Sequence, residues 1–149
     1  MEPWFDRAEA NALADYMNSG GWITEFKKTH AFEKALCQFT DAKHCIVTNN
    51  GTISLSLAML ALGVKPGQEV IVPDLTMIAT PNAARLIGAE PKFVDIEPDT
   101  LNINIEQAIN AITPNTAAIV HVSFNGRVND IQRLREQCDD KGVFLIEDA

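Results

Sequence analysis

Residues 69–94 read EVIVPDLTMIATPNAARLIGAEPKFV, and this stretch decides the fold. Glu69-Val70-Ile71-Val72 is a short β-branched run, apolar on both of its faces, as a strand buried on both sides must be. Thr80 to Leu86 reads as a helix closed by Gly88. Pro91 to Val94 is again extended. Strand, helix and strand in so short a span form the unit of a parallel sheet covered by helices.

The same rhythm continues on both sides. Towards the C-terminus it predicts a helix over Ile105 to Ala111, a strand over Ala117 to Val122, a helix over Ile131 to Lys141 and a strand over Val143 to Ile146. Towards the N-terminus, His44-Cys45-Ile46-Val47-Thr48 reads as a strand and Thr52 to Leu62 as a helix closed by Gly63. Before that lie two helices. One runs from Arg7 to Met17 and breaks at Asn18-Ser19-Gly20-Gly21; after the irregular Trp22-Ile23-Thr24 the other runs from Thr29 to Phe39, with Thr29 and Glu33 placed as a capping pair. The expected organisation is a helical segment, 1–42, followed by an alternating β/α portion, 43–149. The fold class is α/β, a mainly parallel sheet with helices on both faces. Because the sequence ends at Glu147-Asp148-Ala149, directly after a strand, the sheet is expected to be incomplete there and the chain to be a fragment, or a gene product that completes its fold with another polypeptide.

Composition narrows the classes of function. The 149 residues carry 12 Lys and Arg against 20 Asp and Glu, a net charge of -8, with 46% hydrophobic residues. That is enough apolar content for a core, and without a basic run it argues against nucleic acid or an anionic membrane as partner. Cys37, Cys45 and Cys138 show neither a CxxC motif nor Cys/His ligand spacing, so free thiols in a reducing compartment are expected, and no metal. The longest apolar stretch, near Leu57 to Leu62, is far too short to cross a bilayer. Met1-Glu2-Pro3-Trp4-Phe5-Asp6 lacks a signal-peptide pattern. The expected location is the cytoplasm.

In parallel sheets ligands sit beyond the carboxyl ends of the strands, which directs attention to four places. Asn49-Asn50-Gly51-Thr52-Ile53-Ser54 would open a helix with free N–H groups and hydroxyls, a combination suited to a phosphate; the plain alternative is a turn with Thr52 as N-cap. Asp148 stands at the tip of the final strand, where it could pair with a protonated ring nitrogen, bind a metal or cap a following helix; no second ligand stands at metal spacing. Met77, in the loop Pro73 to Thr80, is either core filler or a cover for a flat ring. Ser123-Phe124-Asn125-Gly126-Arg127 is a polar turn, with Arg127 a surface charge or an anion contact.

In order along the chain, Gly21-Trp22-Ile23-Thr24, Phe32-Glu33-Lys34-Ala35-Leu36, Asn50-Gly51-Thr52-Ile53-Ser54-Leu55, Lys65-Pro66-Gly67-Gln68-Glu69-Val70-Ile71-Val72-Pro73, Thr76-Met77-Ile78-Ala79-Thr80, Phe93-Val94-Asp95-Ile96 and Ile146-Glu147-Asp148-Ala149 form a series. It resembles the N-terminal half of the DegT-type sugar-nucleotide aminotransferases, of the perosamine and viosamine synthase kind. That family has the fold-type-I, aspartate-aminotransferase-like large domain.

The resemblance implies a pyridoxal 5'-phosphate enzyme that moves an amino group from L-glutamate onto a nucleotide-linked keto-deoxy-sugar, with C4 of a 4-keto-6-deoxyhexose preferred. It implies a homodimer, with Thr52 and the backbone of Ile53 on the cofactor phosphate, Asp148 on the pyridine nitrogen, Met77 on the ring face, and Trp22, Thr24, Ser123 and Asn125 near the substrate. Many members carry an aromatic residue where Met77 stands, and His-Leu-Tyr-Gly where this chain has Ser123-Phe124-Asn125-Gly126. The family's Schiff-base lysine is expected beyond Ala149, since none of Lys27, Lys28, Lys34, Lys43, Lys65, Lys92 or Lys141 stands at a matching motif. No catalytic residue is therefore expected in this chain, which alone would be inactive. Two further readings stay open: a dehydratase of the same scaffold, and a truncated partner or binding subunit.

Overall fold

The computed structural model describes residues 4–22, 24 and 26–149, so Ile23 and the first three residues of the N-terminal stretch read above lie outside the described residues. The chain divides into two compact units, Met1–Val47 and Thr48–Ala149. The boundary expected between 42 and 43 thus falls five residues later.

The first unit holds α1 (Arg7–Asn18) and α2 (Lys27–Thr40). Asp6 caps α1 through Ala8 N–H, and Glu9 reaches back to the Asp6 N–H at 2.9 Å, a reciprocal capping box. The capping pair expected at Thr29 and Glu33 does not form. α2 starts at Lys27 behind Phe26, which is left-handed (φ 57°) and gives no side-chain cap. Glu33 is engaged elsewhere: its carboxylate accepts the Val47 N–H at 3.0 Å and lies 3.1 Å from His30 Nδ1.

That contact bears on a second correction. His44–Thr48 joins no strand ladder. β-branched residues favour extended backbone, but a ladder needs a neighbouring strand with open N–H and C=O groups. None of the strands described pairs with it, and Val47's donor is held by a side chain.

The second unit follows the predicted rhythm: α3 (Gly51–Ala61), β1 (Glu69–Pro73), α4 (Ala79–Leu86), β2 (Glu90–Val94), α5 (Ile105–Ala111), β3 (Thr116–Val122), α6 (Ile131–Lys141) and β4 (Phe144–Asp148). The four strands are parallel in the order β2-β1-β3-β4. Successive residues of β1 and β3 serve opposite faces. Val70, Val72, Ala118 and Val120 join Leu55 and Met59 of α3 and Ala83 and Ala84 of α4. Ile71 and Ile119 join Ile105 and Ala108 of α5 and Leu134 and Cys138 of α6. This two-faced burial accounts for the unbroken apolar runs in the sequence. The three cysteines are free, and burial pushes the Cys138 thiol up to about 11.

At the amino-terminal edge of the sheet, Glu69 accepts from Thr113 and Thr116 hydroxyls at 2.6 and 3.0 Å, with Lys92 Nζ 3.7 Å away. The two hydroxyl donors, then the Lys92 charge, hold the Glu69 carboxyl below its ordinary value of 4.5. A carboxyl held low in the folded state stabilises it above the unfolded value, and that contribution fades as pH falls through the lowered folded one. Thermal melts of the protein between pH 3 and 7 are expected to show Thr113→Val costing a few degrees at neutral pH and clearly less once the carboxyl is protonated, when only the bond from Asn115 N–H is lost. A loss of equal size at both ends of the range would refute this.

Candidate active site

The order β2-β1-β3-β4 means that the chain moves from β1 to one side and then returns to the other. The carboxyl ends of β1 and β3 therefore flank the point where the connections diverge, the position at which open parallel sheets bind ligands. Thr52, Met77, Ser123, Asn125 and Asp148 all belong to segments at this edge.

Asp148 ends β4 opposite Val122 of β3, on the sheet face that carries α3 and α4. Its Oδ2 accepts the Thr80 hydroxyl at 2.9 Å; Thr80, fully buried in the first turn of α4, lies 2.9 Å from Thr76 Oγ1. No cation pairs with Asp148 among the described residues, and its Oδ1 has no donor there. The carboxylate is thus oriented by a neutral hydroxyl, with one oxygen open. A protonated ring nitrogen fits such a group, because it supplies both the missing donor and the missing charge.

The start of α3 is built differently from the expected Thr52 cap. Asn50 is the N-cap, and its Oδ1 accepts the Ile53 N–H at 3.0 Å. The Thr52 hydroxyl has no partner among the described residues, so it is available to a ligand. The N–H groups of Gly51 and Thr52 are the open donors of this helix end. A Cβ placed on Gly51 would meet no atom within 4 Å, leaving free space before the helix, where its dipole favours an anion. Ile53, expected to contribute its N–H, already has that donor engaged by Asn50.

α3 and α4 lie against the same sheet face, joined where Ser56 Oγ donates to Ala83 O at 3.2 Å. Both helices return antiparallel to the strands, so both N-termini open on the carboxyl edge. The helix end suited to a phosphate and the carboxylate suited to a ring cation therefore share one edge and one face. Met77 is 76% exposed, and its thioether is not packed into the core formed by the described residues.

Ser123 is zipped to the end of β4: its N–H donates to Asp148 O at 2.9 Å and its hydroxyl to Glu147 Oε1 at 3.1 Å. Asn125, left-handed at φ 52°, is exposed and its side chain has no partner among the described residues. Trp22 (79% exposed) and the exposed Thr24 belong to the first unit. No group of three or more His, Cys, Asp or Glu able to hold a metal occurs among the described residues. Nor is any helix there long and apolar enough to cross a membrane.

Thr80 and Asn50 were not singled out in the sequence, although each leaves a trace. An Asn directly before the Gly that opens a helix is a standard cap position. Thr76 precedes α4 and Thr80 lies in its first turn, so a pair of hydroxyls flanks the strand-to-helix junction.

Residues 4–149 match the model of the DegT/DnrJ/EryC1/StrS aminotransferase family, and the chain belongs to that family. It is 40% identical to GDP-perosamine synthase of Vibrio cholerae over 148 residues, 99% of this chain and 40% of that protein. It thus spans about two fifths of the length of that curated relative. Among solved structures, 3-amino-5-hydroxybenzoic acid synthase matches with a TM-score of 0.93 and 36% identity, over 99% of this chain and 38% of that one. A GDP-4-keto-6-deoxymannose-3-dehydratase, solved with PLP and glutamate trapped together, matches with a TM-score of 0.82 and 26% identity, over 97% of this chain and 39% of the other. The fold is that of the fold-type-I aminotransferase large domain, with its parallel sheet between two helical layers.

Proposed function

We propose that the protein to which this chain belongs is an aminotransferase with pyridoxal 5'-phosphate as cofactor, taking L-glutamate as donor and the keto carbon of a nucleotide-linked deoxy sugar as acceptor. C4 of a 4-keto-6-deoxyhexose is the preferred site, in keeping with the perosamine synthase relative. The observation that carries this reading is the Asp148 carboxylate, oriented by Thr80 with one oxygen open, on the sheet face whose α3 N-terminus offers free donors.

The chain's residues divide the work. Asp148 holds a proton on the ring nitrogen through its negative charge, and Thr80 fixes the plane of that carboxylate. The Gly51 and Thr52 N–H groups and the Thr52 hydroxyl take the phosphate; Ile53 joins them only if Asn50 turns away. Met77 covers one ring face. Ser123 and Asn125 serve the sugar. The bound cofactor supplies an electron sink for negative charge at the amino-bearing carbon. The Schiff-base lysine, also the group that would shuttle the proton, is proposed to lie beyond Ala149, because no lysine occurs in the edge segments 49–53, 73–80, 95–98, 123–130 and 147–149. Lys92, on β2, is turned to Ala111 O and Glu69. The 149 residues alone are accordingly inactive. A homodimer in the cytoplasm is proposed, and α3 exposes Leu57 and Leu60 as apolar surface a second copy could cover.

The dehydratase neighbour supports a second reading, in which the same cofactor and donor remove a sugar hydroxyl instead. Incubating the whole protein with PLP, L-glutamate and GDP-4-keto-6-deoxymannose, and identifying the sugar product by mass spectrometry, separates the two. An amino sugar formed one-for-one with 2-oxoglutarate is expected. A deoxygenated sugar without nitrogen selects the dehydratase, and no 2-oxoglutarate from any keto-sugar nucleotide overturns both.

A further inference from the structure

We propose that Asn102, a buried side chain remote from the expected site, is the positioning residue that holds the Ser123–Arg127 turn in shape as a wall of the acceptor-sugar pocket. This inference rests on the function proposed above and names the part of the chain that shapes the sugar end of that site.

Asn102 has no exposed surface. Both ends of its amide serve one turn: Oδ1 accepts the Phe124 N–H at 3.0 Å and Nδ2 donates to Arg127 O at 3.0 Å. A single side chain thus bonds both ends of the 3-10 turn Phe124–Gly126, as a neighbouring strand would. The same turn closes internally through Gly126 N–H to Ser123 O and Arg127 N–H to Phe124 O. Farther along, Asn129 fixes the way out, donating to Ile103 O at 3.0 Å while its Oδ1 lies 2.9 Å from His121 Nε2.

The backbone that delivers Asn102 is strained. Leu101 is left-handed at φ 61°, which costs a branched residue about 1–2 kcal/mol. Such conformations persist where surrounding bonds over-determine them. Here Leu101 N–H reaches Glu97 O at 2.8 Å and Asn102 N–H reaches the Thr100 hydroxyl at 3.2 Å.

What the turn presents is suited to a polyhydroxylated ligand. Asn125 and Gly126 are both left-handed (φ 52° and 72°) and exposed, and the Asn125 amide is unpartnered among the described residues. Ser123 is bonded directly to Asp148 O, so the turn leaves the sheet beside the carboxylate that faces the ring. A turn with two left-handed residues and only the half-buried Phe124 as apolar anchor would sample many shapes without the Asn102 bonds. Fixing it removes an ordering cost from sugar binding, which then appears in KM.

The test uses the whole protein with Asn102→Ala, Asn102→Asp and Phe124→Pro, the last removing the same bond from the turn's side and leaving the buried amide in place. Two readouts are taken: the rate of tryptic cleavage after Arg127, whose carbonyl Asn102 holds, and KM for the nucleotide sugar against KM for glutamate. Expected are a cleavage rate raised at least about tenfold and a sugar KM raised about tenfold, the loss of one to two hydrogen bonds, with glutamate KM moving less than about twofold. Asn102→Asp keeps the acceptor for Phe124 but sets a buried carboxylate against the Arg127 carbonyl, and should raise cleavage at least as much as alanine does. Should the alanine variant fail to fold, Phe124→Pro alone decides. Unchanged cleavage overturns the clamp, and raised cleavage with an unchanged sugar KM overturns its part in the pocket. Absence of amino transfer by the unmutated protein overturns the proposed function and with it the pocket assignment, while the tryptic rate still decides whether Asn102 holds the turn.

Discussion

Replacing Asp148 with asparagine is expected to lower the kcat of the proposed amino transfer by about 10²–10⁴-fold while the protein stays folded. Asn matches Asp in shape, and its carbonyl can still accept from the Thr80 hydroxyl, the 2.9 Å contact that orients the group. Only the charge is lost. A ring nitrogen facing a neutral amide would no longer hold its proton, and negative charge at the substrate carbon would lose its sink. Removing one partner of a desolvated charge pair costs about 3–5 kcal/mol, and each 1.36 kcal/mol is about tenfold in rate. Circular dichroism checks the fold, and single-turnover kinetics with L-glutamate check the step itself. Retention of more than a tenth of the wild-type rate would contradict the role assigned to Asp148.

Gly51→Asp is expected to separate stability from binding. Gly51 is the first residue of α3, behind the Asn50 cap, and an added Cβ there meets nothing within 4 Å. A carboxylate in the first helical turn is favoured by the helix dipole, so folding should be unharmed or improved by about 0.3–1 kcal/mol. The same charge occupies the space assigned to a phosphate. Two like charges about 4 Å apart repel by about 4 kcal/mol at an effective dielectric constant of 20, and partial screening still leaves affinity for pyridoxal 5'-phosphate down by at least about 100-fold. The pair of results to obtain is a melting temperature no lower than wild type and a cofactor dissociation constant raised by that factor. Unchanged cofactor affinity would remove α3 from the site.

The fold was largely legible because burial on both faces of a parallel sheet leaves a plain mark. Val70, Ile71 and Val72 in a row have no amphipathic reading as a surface strand, and the helices between such runs start and stop near their glycines and caps. His44–Thr48 carries a similar mark and forms no ladder, since composition reports extended backbone and a ladder depends on what lies alongside. In the site, the tip of the last strand and the start of α3 could be read from position. Thr80 and Asn102 could not be ranked in advance: each works by a hydrogen bond to a partner set by tertiary packing, as Thr80 reaches Asp148 and Asn102 reaches Phe124 and Arg127, whereas the Asn50 bond to Ile53 N–H is local and left a mark in the sequence. Met77, which the sequence left open between core filler and ring cover, stands exposed among the described residues.

The most direct test of the central claim is a crystal structure of the whole protein with pyridoxal 5'-phosphate. The account predicts the ring nitrogen within about 3 Å of Asp148 Oδ1, with the phosphate oxygens on the Gly51 and Thr52 amides. A ring nitrogen facing any other group, or a phosphate away from the start of α3, would contradict it.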